Sequence, residues 1–69
     1  MIKELDTVIA TSDINLDIQI NTIGTVLAIS KDKKMFLVEF VNNAKQTIGN
    51  GMTLVRENQI NLLLEFKSQ

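Results

Sequence analysis

The sequence predicts a mostly β domain: a small barrel or rolled sheet of five to six short antiparallel strands. Three observations lead there. Apolar and polar residues alternate with period two along several stretches of four to eight positions. Clusters of Ser, Asp, Asn, Lys and Gly separate those stretches at close spacing. The chain has 69 residues, enough for one domain spanning residues 1–69 and not for two.

Residues 5–10 (Leu-Asp-Thr-Val-Ile-Ala) are a short β-branched run and read as a first strand. Thr11, Ser12 and Asp13 end it, because their side chains bond back to nearby backbone. Residues 13–22 then alternate, with Ile14, Leu16, Ile18 and Ile20 set against Asn15, Asp17, Gln19 and Asn21. This period suits an extended arm. The Asn and Asp content favours a long first loop with short strand pieces, tucking its Ile and Leu side chains beneath the sheet.

Residues 23–29 (Ile-Gly-Thr-Val-Leu-Ala-Ile) are apolar on both alternating sets, so they predict a strand covered on both faces or bent sharply. Gly24 fits such a bend or a close backbone approach. Residues 30–34 form a polar hairpin turn. Residues 35–41 (Met-Phe-Leu-Val-Glu-Phe-Val) are the clearest strand. Phe36, Val38 and Phe40 are its core face, because Glu39 marks the set Met35, Leu37, Glu39 and Val41 as outward.

Residues 42–45 are another turn, and residues 46–48 begin a fourth strand. Gly49-Asn50-Gly51 interrupts it as a hairpin or bulge, since Asn-Gly tolerates positive φ. Residues 52–55 resume a strand, and Arg56 to Gln59 read as a single helical turn. Residues 60–67 alternate again, with Ile60, Leu62, Leu64 and Phe66 on one side. A last strand is expected there, with a helix as the rival reading because its Leu and Glu residues favour helix. Closure of the sheet would remove the exposed edges that let an apolar chain aggregate.

Hydrophobic residues make up 45% of the chain, yet a domain this small hides only about 60% of its unfolded surface. Some apolar surface therefore stays outside, either scattered or offered to a partner or a second copy. Cys and His are both absent, which removes disulfides and the usual zinc, copper or iron ligands, so no cofactor or metal is expected. Eight acids and seven basic residues nearly cancel at a net charge of −1, which argues against a phosphate-backbone binder. The charged start Met1-Ile2-Lys3-Glu4 is no signal peptide, and no apolar run approaches the ~20 residues of a membrane span. A cytoplasmic, non-membrane protein is the default.

The order Leu5-Asp6-Thr7-Val8, Ile23-Gly24-Thr25-Val26, Phe36-Leu37-Val38-Glu39-Phe40, Thr47 and Asn58-Gln59-Ile60 resembles a family of short bacterial proteins, domain of unknown function 4926. The likeness runs over about residues 2–62 and rests on order and spacing. It implies an SH3-like barrel in which the Gly-Thr-Val strand follows a long first loop and the Val-Glu-Phe strand is its hairpin partner. It implies no active site. Toxin-like gene neighbours of such proteins imply an immunity or antitoxin role. The chain departs from the pattern in lacking a Gly-Asp turn before Gly24 and in carrying Gly49-Asn50-Gly51.

Tests for chemistry are negative. Ser30 beside Lys31 points away from it on a solvated turn, so nothing depresses the lysine's pKa. Asp13 and Asp17 lack the spacing of a calcium loop. Gly49-Asn50-Gly51 is not followed by the Lys-Ser/Thr of a phosphate loop. Lys31, Lys33 and Lys34 are the only basic cluster; without Tyr or Trp to stack bases, they make a poor nucleic-acid site. A non-catalytic protein-binding module is expected, in the form of an immunity protein that neutralises a nuclease-like toxin encoded nearby. Asp13 and Asp17 on the long loop, and Glu39 flanked by Met35 and Leu37, are the candidate contacts. The alternatives are a nucleic-acid-binding barrel and a structural homodimer or accessory subunit, with an enzyme last.

Overall fold

The structure is a computed structural model that describes residues 1–49 and 51–67. Five strands form: β1 (Thr7–Ala10), β2 (Ile23–Ile29), β3 (Met35–Val41), β4 (Thr53–Arg56) and β5 (Ile60–Leu64). A single 3-10 turn, Glu57–Gln59, links β4 to β5. All neighbouring strands are antiparallel, in the order β4-β3-β2-β1-β5. Five antiparallel strands with one helical turn before the last are what the sequence predicts. The sheet is nevertheless open. β4 and β5 lie at its two edges, so the expected closure does not remove them.

The alternation in β3 decides which face is inside. Phe36, Val38 and Phe40 are buried, while Met35, Leu37, Glu39 and Val41 are only partly covered. Their cross-strand partners follow the same rule, since directly paired residues share a face. Val26 opposes Val38 and Val55 opposes Phe36, and both are buried. Val8, Ala10, Ile18 and Ile60 complete the core, with Ile2, Ile14, Ile29 and Ile48 packed on its margin. Ile18 is the one core residue from the long loop and Ile14 packs at the margin, whereas Leu16 and Ile20 are exposed, so only part of the apolar set expected to tuck under the sheet does so.

Several boundaries differ from expectation. The first strand begins at Thr7 because Leu5 takes a left-handed φ of 70° and turns the chain. No strand forms within residues 11–22, because side chains capture the amides a strand would use. Asn15 Oδ1 accepts from Asp17 N and Ile18 N, each at 2.8 Å, and Asp13 Oδ1 accepts from Ile20 N at 2.8 Å. The predicted strand at residues 46–48 reduces to a single bridge between Val41 and Thr47. The fourth strand therefore runs Thr53–Arg56 instead of residues 52–55. Gly49 and Gly51 have φ of 70° and 100°, as a turn requires, while Asn50 lies outside the described residues. The helical turn begins one residue later than predicted, at Glu57, with Arg56 N donating to Gln59 Oε1 at 2.8 Å. The last strand ends at Leu64 instead of residue 67, and its register against β1 shifts between Thr7 and Val8.

Gly24 is required by contact instead of by φ. A Cβ there would lie 2.6 Å from Val38 Cγ1, 2.9 Å from Glu39 O and 2.9 Å from Phe40 Cδ1. These neighbours are core side chains and backbone that cannot swing away. Gly24→Ala should therefore destabilise the fold by about 2–3 kcal/mol, the upper range for overpacking. Urea unfolding of the variant beside the wild type measures this. An unchanged midpoint would mean that β2 and β3 are less tightly apposed than the structure shows.

Candidate protein-binding surface

The outward face of β3 carries three of the five residues singled out by sequence. Pairing extends it across the sheet in rows. Ala28 opposes Leu37 and Leu37 opposes Leu54, which makes one apolar row over β2, β3 and β4. Leu54 is 61% exposed, so this row faces water at its β4 end. Next to it, Met35 pairs with Arg56. On the other side Thr25 pairs with Glu39, whose Oε2 accepts from Thr47 Oγ1 at 2.6 Å. Glu39 is thus partly covered and engaged, not simply solvated as the sequence suggested. The result is an apolar centre between a cation and a carboxylate, the pattern of a protein interface with an apolar core and a polar rim.

Asp13 and Asp17 are not brought to this row. The loop that holds them joins β1 to β2 at the end of the sheet where Ile23 pairs with Val41. Met35 and Leu37 lie toward the other end of β3. Met35 and Val41 are six positions apart, roughly 20 Å of strand. Both acids are exposed, and Asp13 already uses one oxygen to hold Ile20 N.

A shallow groove of about 530 Å³ lies between the long loop and the 42–45 turn. Gln19, Asn21, Asn43 and Lys45 line it over Ile20 and Ile23, and no Asp or Glu does. Among the described residues, no three acids gather to hold a metal ion. The Lys31, Lys33 and Lys34 tip is exposed, but Asp32 sits among them. Its carboxylate accepts from Ser30 Oγ at 2.6 Å and Lys34 N at 3.0 Å, which holds its pKa below the ordinary 3.8. A carboxylate kept ionised inside the lysine cluster weakens it as a phosphate site. No helix among the described residues is long and apolar enough to cross a membrane.

Sequence reading missed Asp6, the one buried polar residue among those described. Lys3 N donates to its Oδ2 and Phe66 N to its Oδ1, both at 2.8 Å. A polar residue opening a β-branched run was the available signal. The Phe66 and Lys3 amides lower its pKa, and they outweigh the desolvation that opposes them. The group's folded value is depressed, so its stabilisation is present above the unfolded value and lost as pH falls through the folded one. Asp32 acts with the same sign. The urea midpoint should fall between pH 5 and pH 3. Asp6→Asn should lower it at pH 7 and flatten that acid dependence; an Asp6→Asn variant with the full wild-type slope would remove Asp6 as its source.

Comparison with family models, with curated proteins and with solved structures finds no match.

Proposed function

We propose that the chain is a non-catalytic protein-binding module that engages its partner through the outward face of β3 and β4. The observation that carries this is the Ala28–Leu37–Leu54 row, with Met35 beside it and Arg56 and Glu39 at its margins. Burying one exposed leucine contributes about 1.5–3 kcal/mol, so Leu54 is a fitting anchor. The narrower form is an immunity or antitoxin protein that blocks a nuclease-like toxin encoded nearby. Asp13, Asp17 and Glu39 support it, as acids offered to a cationic cleft. A partner contacting both the loop acids and the apolar row must reach from Leu37 past Val41, more than about 13 Å along β3, within the reach of an ordinary interface.

The test is a pull-down with the adjacent gene's product, using the wild type, Leu54→Asp and the triple change of Lys31, Lys33 and Lys34 to Glu. A stoichiometric complex is expected, weakened about 10–100-fold by Leu54→Asp and unaffected by the lysine changes. Failure to bind, or binding indifferent to Leu54→Asp, counts against the reading. Salt-dependent retention of RNA or DNA that the lysine changes abolish would put a nucleic-acid-binding barrel in its place.

A further inference from the structure

We propose that β5 is a self-association edge, through which two copies of the chain pair their Ile60–Leu64 strands antiparallel about a two-fold axis. The joint would fuse two five-stranded sheets into one of ten strands. It uses a surface separate from the β3–β4 face, because β2 and β1 lie between them in the sheet.

The backbone geometry makes the edge available. Thr11 N donates to Gln59 O at 2.9 Å, and Ile9 pairs with Asn61. Gln59 and Asn61 therefore turn their backbone groups toward β1. By the alternation of an antiparallel ladder, Ile60 and Leu62 turn theirs away from it, along the open side. Among the described residues no strand occupies that side. Antiparallel pairing centred on Asn61 sets Ile60 of one copy opposite Leu62 of the other, and the two such pairs exchange hydrogen bonds.

The side chains point the same way. Leu62, Leu63, Leu64 and Phe66 are 37%, 49%, 67% and 53% exposed, four large apolar groups within five positions. Edge strands are ordinarily guarded by lysine, proline or inward charges. Residues 60–64 contain none of these. The register shift opposite Thr7 and Val8 bends only the Leu63–Leu64 half and leaves Ile60–Leu62 regular.

A second copy fits this edge better than a charged partner. The strand is uncharged, so antiparallel copies set no like charges opposite each other. Glu65 and Lys67, which follow, cancel. Pairing β5 with the β4 edge would be head-to-tail and open-ended, and β4 presents Arg56, whereas a two-fold contact closes at two copies. The exposed parts of these four side chains amount to roughly 400 Å² per copy. That is below the ~800 Å² per partner of a standard interface. The dimer is accordingly weak and reversible, with a Kd in the range of tens to hundreds of micromolar.

Sedimentation equilibrium of the full chain from about 10 µM to about 1 mM, concentrations that bracket this affinity, tests the proposal. The weight-average mass should rise from one chain toward two and stop there. Leu63→Lys with Leu64→Lys should hold it at one chain throughout, while Leu54→Asp still dimerises. Amide exchange on the wild type needs no substitution, and Ile60 and Leu62 should exchange more slowly at the higher concentration. A clean monomer at the top concentration, a mass climbing past two chains, or unchanged exchange at both amides overturns it. Because Leu54→Asp leaves this joint intact, its failure is distinguishable from failure of the β3–β4 reading.

Discussion

The carboxylate of Asp6 ties the segment before β1 to the segment after β5. It has no surface exposed to water, and its two oxygens accept from Lys3 N before β1 and from Phe66 N after β5. A buried carboxylate without partners is costly, and these two amides satisfy it. The same short segment crosses to β2, where Leu5 N donates to Val26 O and Val26 N donates to Asp6 O. Leu5 holds an unfavourable left-handed φ to make this possible, and the surrounding bonds offset the strain. β1, β2 and the segment after β5 thus meet at one residue.

Around that clasp the chain divides its apolar residues between two duties. Val8, Val26, Val38, Phe36, Phe40 and Val55 face inward and are buried. The sheet has only one covered face, and among the described residues no second layer covers the other. Leucines on the outward face of β4 and along β5 therefore stay in water. In a larger domain a helix would cover them. Here the surplus is left for contacts outside the chain, and this is why both functional readings rest on exterior surfaces and not on a cleft.

The strands with the strongest pattern were the most legible. β2 and β3 have the bounds that residues 23–29 and 35–41 suggest; β3 owes this to strict alternation, whereas β2 is not covered on both sides, since Ile23 is exposed and Leu27 half-buried, and its register shifts between Val26 and Ala28. The long loop was harder. Its alternation is real, but Asp13 and Asn15 bind backbone amides locally, and period two alone does not reveal that competition. At the C-terminal strand the pattern was read as one continuous alternation. The register shift breaks it, so Leu62, Leu63 and Leu64 are all exposed. Of the candidate contacts, Met35, Leu37 and Glu39 share a face as their spacing implied. Their union with Leu54 depends on the pairing of β3 with β4, which lies outside local sequence. Asp13 and Asp17 fall at the far end of the sheet for the same reason.

The pairing of β1 with β5 also sets an order of events. Ala10 meets Ile60, fifty positions downstream, whereas β2 and β3 meet across a five-residue turn. Local hairpins form in microseconds, but distant strands must first overcome the entropy of a long loop. During synthesis the β2–β3 hairpin can assemble while one side of β1 stays vacant. That vacancy lasts until the leucine-rich strand emerges, so the sheet stays unfinished until β5 has been made.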